Sequence, residues 1–277
     1  MNLLTNKRLN LDIIDIISNL SIELQIKTFL VGGYVRDLIL SRESKDIDVL
    51  VIGDGISFAK EVKKKLDTKV NLQIFKNFGT AMIIYDGFEI EFVGSRKESY
   101  QQSSRNPSIT IGTFEDDISR RDFTINSIAI SLNKNDKGKI IDLFGGLSDL
   151  KSGIIKTPKD PKITFYDDPL RMMRAVRFAS QLNFKIKDSN LEIIKNDRER
   201  INIISKERIN EELNKILLSP KPSIGFILLK NTGLLEILIP EIIKLEGIDE
   251  IEGKTHKDNF YHTLQVLDNI CKNTDNL

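Results

Sequence analysis

The sequence has one cysteine, Cys271, only two histidines, and no long apolar run. A lone cysteine excludes an intramolecular disulfide and a cysteine metal cluster, so the fold stands on burial alone and a reducing, cytoplasmic location is expected. No stretch approaches the roughly 20 apolar residues that span a bilayer. The opening, Met1 to Leu11, carries polar and basic residues where a secretion signal would be apolar. Neither membrane insertion nor secretion is therefore expected. An excess of one charge sign is missing too: 41 Lys and Arg face 40 Asp and Glu. That balance excludes a general nucleic-acid coat, and any nucleic-acid site must be a local patch. No internal repeat is present, which excludes solenoid and propeller architectures.

What remains is the composition of a globular protein, 40% apolar and 29% charged over 277 residues, enough for one large domain or two ordinary ones. Apolar residues at Ile13, Ile14, Ile16, Ile17, Leu20 and Leu24 predict an amphipathic helix over 11–24. A strand over Thr28 to Val31 runs into Gly32-Gly33, which opens a short second helix. Asp46 to Ile52 reads as a buried strand and Phe58 to Leu66 as a helix. Leu72 to Phe75, Ala81 to Tyr85 and Phe88 to Val93 read as strands. Together these predict a mixed sheet flanked by helices. Gln101 to Gly112 has the composition of a mobile loop, and a helix is expected from Arg120 to Ala129. From Asp168 onward nearly every segment has helical periodicity, so a boundary is placed near residue 150 and an all-α region after it.

The chemistry concentrates in the first part. Asp46 and Asp48 lie at i and i+2 on a predicted strand, so both side chains leave one face with Cα atoms roughly 6 to 7 Å apart. Two carboxylates drawn to about 4 Å repel by roughly 4 kcal/mol at an effective dielectric of 20, so the pair implies a cation. Mg²⁺ suits it, taking oxygen ligands while keeping positions open for phosphates. Upstream, Gly32-Gly33 leaves backbone N–H groups at a positive helix end, and Arg36 is one turn further in. A phosphate cradle, an arginine and a carboxylate pair within seventeen residues are the parts for nucleotidyl transfer. Glu89 and Glu91 share a face of a later strand, where either a third carboxylate or a solvated face accounts for them.

The segments Gly32 to Asp37, Asp46 to Asp48, Arg120-Arg121-Asp122-Phe123-Thr124-Ile125-Asn126 and Asp167 to Ala179 resemble, in order and spacing, the class II CCA tRNA nucleotidyltransferase and bacterial poly(A) polymerase family, over about residues 28 to 245. The resemblance implies an α+β fold: an N-terminal nucleotidyltransferase (polymerase beta-like) sheet over 1–150, then a helical neck and body over 151–245 that selects the base and binds RNA. It implies Asp46 and Asp48 as ligands of two Mg²⁺ ions, with Glu91 as a further catalytic carboxylate. Gly33, Arg36 and Arg121 are implied as nucleotide contacts. On the helix that reads the incoming base, Asp168, Arg171, Arg174 and Arg177 match, and the i to i+3 spacing of Asp168 and Arg171 sets an acceptor beside a fork of donors. The same Asp168 is also a good helix cap before Pro169, with the arginines as a solvated stripe.

The implied activity is addition of CMP and AMP from CTP and ATP to the 3′ end of tRNA, with pyrophosphate leaving; a poly(A) polymerase using ATP alone is the alternative. Asp167 stands where many relatives have Glu, a departure that catalysis is expected to survive. Asp142-Leu143-Phe144-Gly145-Gly146 resembles the linker between catalytic and helical domains, its glycines suited to a hinge. Arg208 to Leu217 resembles a supporting helix. His256 to Leu264 resembles the opening of an HD-type phosphohydrolase domain over 246–277, whose further ligands are not in the sequence, so His262 is expected to be a remnant and not a ligand.

Overall fold

The structure is a computed structural model. It describes residues 11–66, 70–101, 104–247, 250–251, 254–255 and 258–274, without the side chains of 77, 97–101, 104–109, 250–251 and 254–255. The chain divides into two compact units, Met1–Leu150 and Lys151–Leu277.

In the first unit, helix α1 (Asp12–Leu24) is followed by β1 (Thr28–Val31), α2 (Gly32–Ile39), β2 (Asp46–Val51), α3 (Gly55–Lys65), β3 (Leu72–Phe75), β4 (Thr80–Tyr85) and β5 (Phe88–Gly94). Then come β6 (Arg96–Gln101), β7 (Ser104–Ile111), α4 (Phe114–Ser119), β8 (Ile128–Ser131) and β9 (Ile140–Asp142). Seven strands form one sheet in the order β3-β4-β5-β2-β1-β8-β9. Only β2 and β5 pair in parallel; the other neighbours are antiparallel.

The period-2 alternation of the strands sorts this sheet into two unlike faces. Ile47, Val49 and Val51 of β2, Leu30 of β1, Ile90 and Phe92 of β5 and Ile130 of β8 are buried on one face. The helices bring Ile13, Ile14, Ile17, Phe58, Ala59 and Val62 into the same buried core. On the other face the register sets Asp46 opposite Glu89, Asp48 opposite Glu91, and Leu50 opposite Val93. It also sets Val31 opposite Asp48 and Ala129, and Phe29 opposite Leu50. Half of that face is therefore apolar, and α4 covers it: Ile118 joins Phe29, Val31, Leu50 and Ala129 in a buried cluster. Phe114 packs on Phe29 with ring centroids 4.4 Å apart. The other half of the face keeps its carboxylates.

Two sequence expectations fail here. The described residues of Gln101 to Gly112 are not irregular: β7 pairs with β6 antiparallel over most of that span. The helix expected from Arg120 to Ala129 is displaced. The acidic residues before it form α4, started by a capping box between Thr113 and Asp116. Thr124–Asn126 is a single 3₁₀ turn and Ile128–Ser131 is a strand, because β-branched Ile128 and Ile130 fill a central sheet position better than a helix.

Helix α5 (Gly146–Ser152) spans the division in sequence. The second unit contains β10 (Ile154–Ile155), α6 (Pro161–Asp167), α7 (Leu170–Leu182), β11 (Lys185–Ile186), α8 (Asp188–Asp197), α9 (Lys206–Leu217), α10 (Pro222–Asn231), α11 (Leu234–Leu238), α12 (Pro240–Ile243), β12 (Glu250–Ile251), β13 (Lys254–Thr255) and α13 (Asn259–Ile270). Its strands are two-residue pairs, so the unit is held by helix packing, with Met172, Met173, Val176, Ile216, Phe226 and Leu229 fully or almost fully buried. At its end, Phe260 and Leu264 of α13 are buried, and Asp268 accepts from Ser223 N and Oγ at 2.9 and 2.7 Å. No described helix is long and apolar enough to cross a membrane.

Candidate active site

The site of the first unit begins at Gly32, where β1 ends and α2 starts. Its φ of +74° lies where only glycine is unstrained, and a Cβ there would sit 2.5 Å from Asp48 Oδ2 and 3.2 Å from Arg121 Nη1. The missing side chain lets carboxylate, guanidinium and helix start meet. Val31, the cap position of α2, provides no side-chain cap, so the positive end of the helix opens onto Asp48 and Arg121 without one from that residue. Gly33 differs from Gly32: a Cβ there meets only Arg36 Nη2, at 3.6 Å.

Arg36 curls back over that helix start and is only 9% exposed. Its Nε and Nη2 donate to Asp37 at 3.0 and 2.8 Å, and its Nη1 to Asn126 Oδ1 at 2.9 Å. Asn126 Nδ2 in turn donates to the buried Asp122 at 3.0 Å. Arg36 thus enters the site with much of its donor fork already committed, and Asp122 and Asn126 of the Arg120–Asn126 segment hold it.

Arg121 is fixed from below. Asp117, fully buried, accepts from Arg121 Nη2 at 3.1 Å and from Arg120 Nε and Nη2 at 3.0 and 2.5 Å. Both arginines reach a cleft of about 540 Å³ that is also lined by Asp48, Glu91, Phe75, Phe78 and Arg96. Sequence reasoning passed over Asp117 and gave no role of their own to Arg120, Asp122 and Asn126, which it quoted only within a motif. The i, i+3 and i, i+4 spacing of Asp117 to Arg120 and Arg121 was the signal that could have found Asp117.

Asp46, Asp48, Glu89 and Glu91 project from one face of adjacent strands roughly 4.8 Å apart. All are oxygen donors, so the set fits a hard divalent cation. Among the described residues no three side chains converge into a ready-made metal cage.

The linker expected to hinge is built tightly. Asp142 accepts from Gly146 N and Leu147 N at 2.8 and 2.9 Å, and a Cβ on Gly146 would overlap the Thr124 carbonyl oxygen. Gly146 serves close packing.

In the second unit, Asp168 lies outside α7 in extended backbone, so it and Arg171 do not share a helix face in the expected way. Its Oδ1 accepts from Leu170 N at 3.2 Å and its Oδ2 from Arg208 Nη2 at 3.1 Å. Arg171 Nη1 donates to the Thr164 carbonyl at 3.4 Å, and Arg174 lies 5.5 Å from the Phe178 ring. Arg177 departs from expectation. It is 7% exposed, its Nη1 donates to Glu212 Oε1 at 3.2 Å, and it stacks on Phe178 at 4.3 Å. Facing the core, it ties α7 to α9 and is not offered to a phosphate. His262 is exposed on α13, and His256 lies outside the described residues.

Two family models match: the poly A polymerase head domain over residues 28–156, and the probable RNA and SrmB-binding site of polymerase A over 183–245. The chain belongs to the class II CCA-adding enzyme and poly(A) polymerase family. Within it, the chain is 38% identical over 241 residues to a CCA-adding enzyme of Lactobacillus helveticus, covering 86% of this chain and 55% of the relative. It is 40% identical over 170 residues to an A-adding tRNA nucleotidyltransferase of Aquifex aeolicus, covering 61% and 20%. A solved CCA-adding enzyme in its second apo form superposes with a TM-score of 0.76 at 30% identity, over 95% of this chain and 64% of that one. A tRNA nucleotidyltransferase complexed with a primer tRNA and an incoming ATP analog gives 0.71 at 31%, over 83% and 66%. The chain spans about half the length, or less, of the curated relatives it matches.

Proposed function

We propose that this protein adds CMP and AMP from CTP and ATP to the 3′ end of tRNA without a template, releasing pyrophosphate. The observation that carries this reading is the meeting of Asp48, Arg121 and the start of α2 at Gly32, beside Glu91 on the next strand. The helix start and the two guanidiniums receive the triphosphate, with Gly33 allowing close approach of its oxygens. Asp46 and Asp48 would hold Mg²⁺, which supplies charge neutralisation and a lowered pKa for the attacking hydroxyl. Glu91, the register partner of Asp48, would orient the 3′ hydroxyl or receive its proton. In the second unit, Asp168 and Arg171 select the base, with Asp168 oriented by Arg208, while Arg174 contacts the nucleotide and Arg177 holds the helix in place. Relatives whose names and titles include CCA-adding enzymes, a primer tRNA, CTP and ATP support the choice of substrates.

The test is incorporation of labelled CTP and ATP into tRNA lacking its terminal trinucleotide, in Mg²⁺. Incorporation of both is expected, and none beside an active control enzyme would sink the reading. The head-domain match to poly A polymerase favours a second reading, extension of RNA with ATP alone. Incorporation of CMP excludes it.

A further inference from the structure

The described side chains of the cleft include one large group that nucleotidyl transfer has not used. Phe78 is 67% exposed, among the most exposed large apolar residues described, yet it opens into the same cleft as Asp48 and Glu91. Phe75, on the carboxylate face of β3, stands beside it at 39% exposure. Their turn is firmly built: a 3₁₀ turn over Lys76–Phe78 ends at Gly79 with φ of +63°, and Arg96 Nη1 donates to the Phe78 carbonyl at 3.3 Å. Two aromatic rings exposed on the wall of a charged cleft offer flat faces on which a planar base can stack.

The register says which part of a substrate that surface meets. Gly32 follows Val31, which pairs with Asp48, so the phosphate cradle lies on the β1 side of the carboxylates and toward the beginning of β2. Phe78 precedes Thr80, which pairs with Val93, so it lies on the β4 side and toward the end of β5 and β2. The two features are diagonally opposite across Asp48 and Glu91, with β1 and β4 separated by three strand spacings, about 14 Å. In-line displacement brings the nucleophile in from the side opposite the leaving pyrophosphate. Resting on the nucleotidyl-transfer reading above, we infer that Phe78, with Phe75 beside it, is the stacking platform for a base at the 3′ end of the RNA that is extended. It is not a platform for the incoming nucleotide. Stacking accepts any base face, so this platform holds the primer end without reading it.

The chain contains no tryptophan, so Phe78→Trp creates a single fluorescent reporter at the platform. Its emission should be quenched by a short RNA ending in CC, and not by CTP alone. Because the ring is exposed, Phe78→Ala should melt as the parent does. It should raise the KM for primer about tenfold while leaving the KM for CTP within about twofold, and Phe78→Tyr should restore the parental value. An unchanged primer KM in Phe78→Ala, or quenching by CTP and not RNA, overturns the inference. Should the parent protein incorporate nothing while RNA still quenches the indole fluorescence of the Phe78→Trp variant, the proposed reaction fails and the platform stands.

Discussion

Replacing Gly32 by Ala adds one carbon where the chain has no room for it. The residue must hold a left-handed conformation, costing about 1–2 kcal/mol, and its Cβ would press on Asp48 Oδ2. Gly32→Ala should therefore destabilise by at least that amount in urea melts and cut turnover at least a hundredfold through the displaced carboxylate. Gly33→Ala, with only an ordinary contact to Arg36, should melt like the parent and lose nucleotide affinity alone. Asp117 makes a related case from the opposite side, since it is fully buried under two guanidiniums. Asp117→Asn should cost about 3 kcal/mol by removing the buried charge that Arg120 and Arg121 share, and should raise the KM for CTP. The carboxylates were legible in the sequence because i, i+2 spacing on a strand dictates a shared face. Asp117 left a trace in its spacing to Arg120 and Arg121, whereas Asn126 left none, because its partner Arg36 lies 90 positions away and only folding brings the two close. Arg177 misled for the same reason: its spacing matches Arg171 and Arg174, while its burial depends on Glu212, 35 positions away.

Helices with a strong apolar period or a clear cap were legible as elements. The one expected over 58–66 begins earlier, at Gly55, because Asp54 caps it by accepting from Ile56 N at 2.9 Å and Ser57 N at 3.1 Å. The hydrogen bond from the Ser57 hydroxyl, with those from the backbone, holds the Asp54 carboxyl below its usual range. A depressed folded-state pKa stabilises above the unfolded value and is lost as pH falls through the folded one. Asp54→Ala should thus cost about 1 kcal/mol at neutral pH, and the difference from the parent should shrink below pH about 4 and vanish in stronger acid. Between α7 and α9, Glu212→Ala should cost about 3–5 kcal/mol by stranding Arg177. The double substitution Arg177→Met with Glu212→Leu should recover most of it, as paired burial of apolar groups replaces a desolvated ion pair. The hairpin of β6 and β7 and the strand β8 escaped sequence reading because polar composition and short length mask a two-residue period, and only pairing partners elsewhere in the chain decide such segments.

For the molecule as a whole, the residues proposed for chemistry and those proposed for base choice fall in different units. The phosphate cradle, the arginines over it and every carboxylate proposed to bind metal belong to residues 1–150, and the proposed base-selecting pair Asp168 and Arg171 to residues 151–277. A cation binding only the folded state adds about 2.7 kcal/mol at a hundredfold excess over its Kd, a Tm rise of several degrees. Mg²⁺ should produce that rise in the parent and in Asp168→Ala or Arg171→Ala, and should not in Asp48→Asn, where one of two adjoining carboxylates has lost its charge. The same second-unit variants should still transfer nucleotide, yet discriminate CTP from UTP in kcat/KM by at least tenfold less than the parent. A site built to hydrogen-bond a particular base edge rejects others because its polar groups are otherwise left unmatched. If Asp168→Ala abolished the Mg²⁺ shift, or if Asp48→Asn kept both the shift and turnover, selection and catalysis would not divide between the two parts of the chain.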